Sequence, residues 1–117
     1  MKDLNTYILE KKKLFELSPS QRSALETTIG IALGNLGEDN EIKQFKNFID
    51  SLSNDEKEDL ESLYSMLSDA DNYKKIYQKN VMPEEIALID KLYHYCDDNN
   101  MLDEQWDLID AFEKICL

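Results

Sequence analysis

Apolar residues recur at intervals of three or four along most of the chain, and this spacing is the strongest constraint on its fold. Between residues 97 and 113 the spacing places four apolar side chains on one side of a predicted helix: Leu102, Trp106, Ile109 and Phe112. No stretch alternates strictly between apolar and polar residues, as a half-buried strand would. The pattern therefore predicts an all-α protein, whose last helix begins near Asn100 and buries Trp106.

Capping residues divide the apolar pattern into separate helices. Ser18, Pro19 and Gln21 form a helix start with a capping box, and the helix is expected to continue to about Leu36, with Gly37 as its stop. Further helices are predicted over about 2–17, 42–52, 54–67, 70–79 and 83–96, and from about 100 onward. A chain of 117 residues suits one domain. The prediction is a compact single-domain bundle (residues 1–117) of about six or seven short amphipathic helices.

Two local patterns refine this prediction. Ser53 and Glu56 form a second capping box, which opens the helix that follows. Gly30 and Gly34 lie four residues apart and would make one side of their helix smooth. A smooth side allows a neighbouring helix to approach closely, so we expect a close helix contact there.

The charge of the chain is unusual, because 25 acidic residues against 13 basic ones leave a net charge of −12. The acids are concentrated in two blocks, residues 38–71 and 81–117, each with a net charge of −8. A surface this negative repels nucleic acid and anionic lipid and attracts basic proteins. We therefore expect neither direct nucleic-acid binding nor membrane association.

The sequence shows no secretory signal and no apolar run long enough to span a membrane. Cys96 and Cys116 lack the paired spacing of a metal site, and two reduced thiols are typical of a cytoplasmic protein. A disulfide between them is the alternative. A cytoplasmic protein is expected, and a monomer is favoured.

No catalytic motif is visible in the sequence. His94, with Asp90, Asp97 and Asp98 at helical spacing, would be a metal site only on weak grounds, because aspartate is frequent throughout the chain. The segment from Asp69 to Tyr73 resembles the start of a calcium loop, but lysine replaces the required glycine at position 74. The sequence therefore predicts a protein that is not an enzyme and has no metal or cofactor.

The acidic blocks are the candidate functional surface. Asp103, Asp107 and Asp110 are spaced to lie on one side of the predicted last helix, where like charges cost about 0.2–0.5 kcal/mol per pair. The candidate partner-binding residues form a principal set and a second row: Asp97, Asp98, Asp103, Glu104, Asp107 and Asp110, and then Asp55, Glu58, Asp59 and Glu61. The simpler interpretation is a solvated face that only confers solubility.

In size, charge and carboxylate spacing the chain resembles the small acidic DNA-mimic proteins of bacteria and phages. Proteins of this class offer carboxylates where DNA offers phosphates, and they bind histone-like HU proteins, repressors or nucleases. The resemblance implies a non-enzymatic inhibitor that occupies the nucleic-acid-binding surface of a basic bacterial protein. Basic clusters at Lys11–Lys13 and at Lys74, Lys75 and Lys79 depart from a uniformly negative mimic and suggest that one side would bind.

Two other functions remain open. An immunity protein or antitoxin would cap the active site of one cognate toxin, using apolar contacts in addition to charge. A general helical interaction module would have no connection with nucleic acid, and an exposed apolar patch would favour it.

Overall fold

The computed structural model describes residues 17–68 and 83–116, and it contains six helices within these ranges. They are α1 (Pro19–Leu33), α2 (Asp39–Gln44), α3 (Lys46–Asp50), α4 (Asn54–Ser68), α5 (Pro83–Asp98) and α6 (Trp106–Cys116). These ranges contain no strand, which confirms the predicted all-α fold. The helices predicted at about 2–17 and 70–79 lie outside the described residues.

Four helices surround the hydrophobic core. α1 packs against α4 and α6, and α5 packs against the same two helices, so that α4 and α6 occupy opposite corners. The largest fully buried side chains come from all four helices: Leu25, Ile29, Leu60, Leu63, Ile89, Leu92, Cys96, Phe112 and Ile115. The short helices α2 and α3 pack against α1. None of the described helices is both long and apolar enough to cross a membrane.

The start of α1 is as predicted, but its end is not. The Gln21 N–H donates to Ser18 Oγ at 3.2 Å, and the Ser18 N–H donates to Gln21 Oε1 at 3.0 Å, which completes the capping box. The helix stops at Leu33 because Gly34 adopts the left-handed conformation, with φ +80°. Leu36, which was expected to be the last residue of this helix, lies beyond its end and is 38% exposed.

The region predicted as one helix over 42–52 consists of two, α2 and α3, which meet at Phe45. The Phe45 N–H donates to the Ile42 carbonyl three residues earlier, and Phe45 has φ −98° and ψ 2°, outside the helical range. Phe45 and Phe48 are both buried. No glycine or proline marks this break in the sequence, so its position could not be predicted from residue type.

The capping box predicted at the start of α4 is present. The Glu56 N–H donates to Ser53 Oγ at 3.2 Å, and the Ser53 N–H donates to Glu56 Oε1 at 3.0 Å. Lys91 of α5 also donates to Glu56 Oε2 at 2.6 Å. The hydrogen bond from Lys91 has the largest effect on the pKa of the Glu56 carboxyl, which it lowers, and the bond from the Ser53 N–H lowers this pKa further. Glu56, which completes the cap of α4, therefore also links this helix to α5.

Gly30 is the point of close helix contact, as expected, whereas Gly34 serves as a helix end. A Cβ atom at position 30 would lie 2.8 Å from Tyr64 Cε2 on α4 and 2.6 Å from Leu36 Cδ1. The exposed Leu36 side chain can move aside, but the Tyr64 ring packs against the core.

We expect Gly30→Ala to lower the free energy of unfolding by about 1–3 kcal/mol, because the added methyl group displaces the Tyr64 ring. Urea denaturation measures the change, and Ser65→Ala, at an exposed site on α4, is the control. A Gly30→Ala variant as stable as this control would contradict the close contact.

The turn between α5 and α6 corrects the predicted start of the last helix. Asn100 has φ +57°, its N–H donates to the Asp97 carbonyl, and the Met101 N–H donates to the Cys96 carbonyl at 2.8 Å. This is a Schellman motif, which ends a helix. Asn100 therefore terminates α5 instead of starting α6.

The late start of α6 changes which residues face the core. α6 begins at Trp106 and buries Leu108, Ala111, Phe112 and Ile115. Of the predicted apolar stripe only Phe112 is fully buried, and Trp106 is 71% exposed. The prediction that Trp106 belongs to the core was wrong. Two overlapping apolar stripes of α6 have helical spacing, and the stripe that includes Leu108 and Ile115 faces the core instead of the one that includes Trp106.

Candidate functional site

The ten candidate carboxylates lie on the surface. Nine are exposed, and Asp59 is partly buried. The second row (Asp55, Glu58, Asp59 and Glu61) lies on α4. The principal set is distributed over the last turn of α5, the turn after it, and α6: Asp97 and Asp98, Asp103 and Glu104, and Asp107 and Asp110.

None of these ten carboxylates takes part in an ion pair within the described ranges 17–68 and 83–116. The ion pairs there join Arg22 to Glu26, Lys91 to Glu56 and His94 to Asp90. In the third pair, His94 Nε2 lies 3.5 Å from Asp90 Oδ1. Neutralisation by neighbouring lysine groups would have removed the electrostatic basis of a binding surface. The ten acids are therefore free to act on a partner's charges.

The two sets of acids do not form a single row. α4 and α6 occupy opposite corners of the core helices, with α1 between them on one side and α5 on the other. Asp103 also lies before α6 begins, so it does not continue the line of Asp107 and Asp110 along one helix. The structure thus provides two separate acidic surfaces, and the principal one surrounds the turn from Asn99 to Gln105.

Several acids of the principal set occupy positions that are locally unfavourable. Asp97 and Asp98 are in the last turn of α5, where the helix dipole disfavours negative charge by about 0.3–1 kcal/mol each. Glu104 has φ +62°, a conformation that costs a residue with a side chain about 1–2 kcal/mol. Asp107, by contrast, lies in the first turn of α6, where the dipole stabilises it. Stability alone does not explain the acids at 97, 98 and 104.

We expect the double variant Asp97→Asn and Asp98→Asn to raise the free energy of unfolding by about 0.5–2 kcal/mol, because it removes charge from the negative end of a helix. Asp107→Asn, at the positive end of α6, should instead lower it by about 0.3–1 kcal/mol. Thermal unfolding at low salt compares the variants. Destabilisation of the double variant would show that Asp97 and Asp98 have a structural role.

Aromatic residues border the principal acidic surface. Trp106 is 71% exposed and lies between Gln105 and Asp107 at the start of α6. Tyr95 is partly buried, because its ring packs on Phe48 with 5.4 Å between ring centroids and its hydroxyl donates to the Gln44 carbonyl. An exposed tryptophan among carboxylates is typical of a protein-binding surface. Sequence reasoning missed it by assigning Trp106 to the core.

A cleft of about 1190 Å³ adjoins the same surface. Its walls are α1, the α2–α3 region and the segment from Tyr95 to Leu108. Asp107 lines it directly, Asp97, Asp98 and Glu104 are each next in sequence to a lining residue, and Asp103 lies two residues from Gln105. The small polar residues Ser20, Ser23 and Thr27 line it from one side of α1, but nothing in the sequence indicates that the other two segments meet them there.

The other chemical candidates are weak. No group of three or more potential metal ligands occurs among the described residues, and His94 contacts only Asp90 among the acids proposed with it. Burial raises the pKa of the Cys96 thiol from 9.0 to about 12, which keeps it protonated and unreactive. Cys96 and Cys116 do not form a disulfide. In the part of the chain that the structure describes, these groups therefore form neither a metal site nor an activated thiol.

Comparisons of the chain with protein-family models, with curated proteins and with solved structures found no match. Its function must therefore be inferred from the surface itself.

Proposed function

We propose that the protein is a non-enzymatic, acidic DNA mimic that binds the nucleic-acid-binding surface of a basic protein and blocks its access to DNA. The observation that carries this proposal is the principal set of exposed carboxylates, which have no ion-pair partner within the described residues. Three of them, Asp97, Asp98 and Glu104, occupy positions that are locally unfavourable for stability. A role in binding would explain why acids stand at these positions.

The mechanism is electrostatic. The negative surface accelerates the approach of a basic partner and replaces the phosphates that would otherwise neutralise the partner's lysine and arginine side chains. Because the acids lie on helices and in a turn closed by backbone hydrogen bonds, they are held before binding and lose little freedom. The α4 row lies on another surface and contributes to steering, whereas the principal set makes the contact.

A second candidate function, an immunity protein or antitoxin, is favoured by Trp106. An exposed tryptophan that fills a pocket on its partner commonly contributes 2 kcal/mol or more to affinity. DNA offers no such group, so a large contribution from Trp106 would indicate one cognate protein partner instead of imitation of a general DNA surface. Both candidates use the same acidic surface, and they differ in salt dependence.

A pull-down from host lysate with an elution by duplex DNA tests the proposal. The immobilised protein should retain a basic DNA-binding protein at about 50 mM salt, and duplex DNA or about 0.5 M salt should release it, since both compete with charge contacts. Retention of one protein that neither DNA nor high salt releases would contradict the mimic and support the immunity protein. Failure to retain any basic protein would contradict both.

A further inference from the structure

We propose that the cleft beside the principal acidic surface binds an extended, basic segment of the partner protein. The inference rests on the proposed function, because it specifies how a basic partner is recognised. It adds a second element, a shaped groove, to what would otherwise be a charged surface alone.

The lining of the cleft includes an apolar part, here called its floor. It consists of Phe45 and Leu108, which are buried, and of Ala24, Ile31 and Met101, which are partly buried. The cleft follows α1 from Pro19 to Ile31, a distance of about 18 Å at 1.5 Å per residue. That length fits about five residues of extended chain.

The polar groups of the cleft favour an extended backbone over a helix. Neutral side chains that make no side-chain hydrogen bond within the described ranges line its walls: Ser23, Thr27, Asn47, Asn100 and Gln105. Each offers both a donor and an acceptor. An extended segment carries unpaired N–H and C=O groups that these side chains can satisfy, whereas a helix has already satisfied its own. A helix would cover the same groups and leave them without partners.

The charge around the cleft selects a basic segment. Asp107 and Glu41 line the cleft together with one lysine, Lys43. Asp97 and Asp98 lie between the lining residues Cys96 and Asn99, and Asp103 and Glu104 directly precede the lining residue Gln105 in sequence. Lysine or arginine side chains on alternate positions of the bound segment would reach this rim while the intervening apolar side chains face the floor.

The test uses a heptapeptide of alternating lysine and leucine with blocked ends, and a glutamate–leucine peptide as its charge-reversed control. Trp106, the single tryptophan, lies next to two lining residues, so its fluorescence reports binding. Ser23→Phe and Thr27→Phe fill the cleft without a change of charge. Ser65→Phe makes the same serine substitution at an exposed position of α4, which does not line the cleft.

We expect the lysine peptide to bind the wild type and Ser65→Phe with affinities within twofold of each other. Ser23→Phe and Thr27→Phe should bind it at least tenfold more weakly while showing the circular dichroism of the wild type. The inference is overturned if the filled variants bind like the wild type, if the glutamate peptide binds equally well, or if the wild type does not bind the lysine peptide.

The same variants separate this inference from the proposed function. If Ser23→Phe retains the DNA-releasable partner as well as the wild type does, the cleft is not used and the mimic stands. If no DNA-releasable partner is retained but the lysine peptide binds the wild type and not Ser23→Phe, the mimic fails and the specificity of the cleft stands.

Discussion

Phe112→Ala should lower the free energy of unfolding by about 3–5 kcal/mol, as measured by urea denaturation. Phe112 is fully buried, and its ring packs against Tyr93 of α5 with 5.2 Å between ring centroids. Truncation removes this contact and leaves a cavity at the junction of α5 and α6. Domains of this size are commonly stable by only 5–15 kcal/mol, so the variant would lose a large part of its stability.

Trp106→Ala is the matched control for that substitution, because the two residues belong to the same predicted apolar stripe. Trp106 is 71% exposed, and we expect its truncation to change the free energy of unfolding by no more than about 0.5 kcal/mol. Equal destabilisation by the two variants would mean that α6 is rotated relative to the structure described above. A stable Trp106→Ala protein that binds its partner about 30-fold more weakly would support the immunity-protein alternative.

Reversal of Asp103, Asp107 and Asp110 to lysine should weaken binding of a histone-like HU protein by at least about 100-fold at low salt. The substitutions place positive charges against a positive partner, and like charges across an interface cost several kcal/mol. Fluorescence anisotropy of a labelled DNA duplex bound to the HU protein measures how much of each variant is needed to displace it.

A second triple variant controls for total charge. Asp39, Asp50 and Glu84 are exposed, lie outside the ten candidate positions and have no ion pair in the described part of the chain. Each reversal to lysine changes the charge by two, so both triple variants carry −6 instead of −12. If the two variants displaced DNA equally well, the principal set would have no special role and the proposed surface would be wrong.

The helices could be predicted where a local signal fixes them. The capping boxes at Ser18 and Ser53 depend on side chains three residues apart, so the sequence alone reveals them. The contact at Gly30 was also predictable, because a missing side chain leaves room for a neighbour. Phe45 gave no such signal, and the break between α2 and α3 depends on packing that only the assembled core determines.

The candidate site shows a similar limit. The exposure of the acids could be predicted from their residue type. Their arrangement, however, depends on the turn at Asn100, which has a left-handed conformation. Asparagine tolerates this conformation, but its presence does not by itself predict such a turn. Trp106 lies on the surface because α6 turns its other apolar stripe, which includes Leu108 and Ala111, towards the core. The cleft could not be predicted, because its walls come from three parts of the chain that are distant in sequence.

The buried thiol of Cys96 can serve as a chemical probe of local opening in this fold. Its side chain is fully enclosed near the end of α5, and its raised pKa, about 12, suppresses reaction in the closed state. The rate at which an alkylating reagent modifies Cys96, followed by mass spectrometry of its peptide, therefore counts how often this end of the helix opens. If a bound partner slows the modification of Cys96, its binding also stabilises this end of α5 against opening.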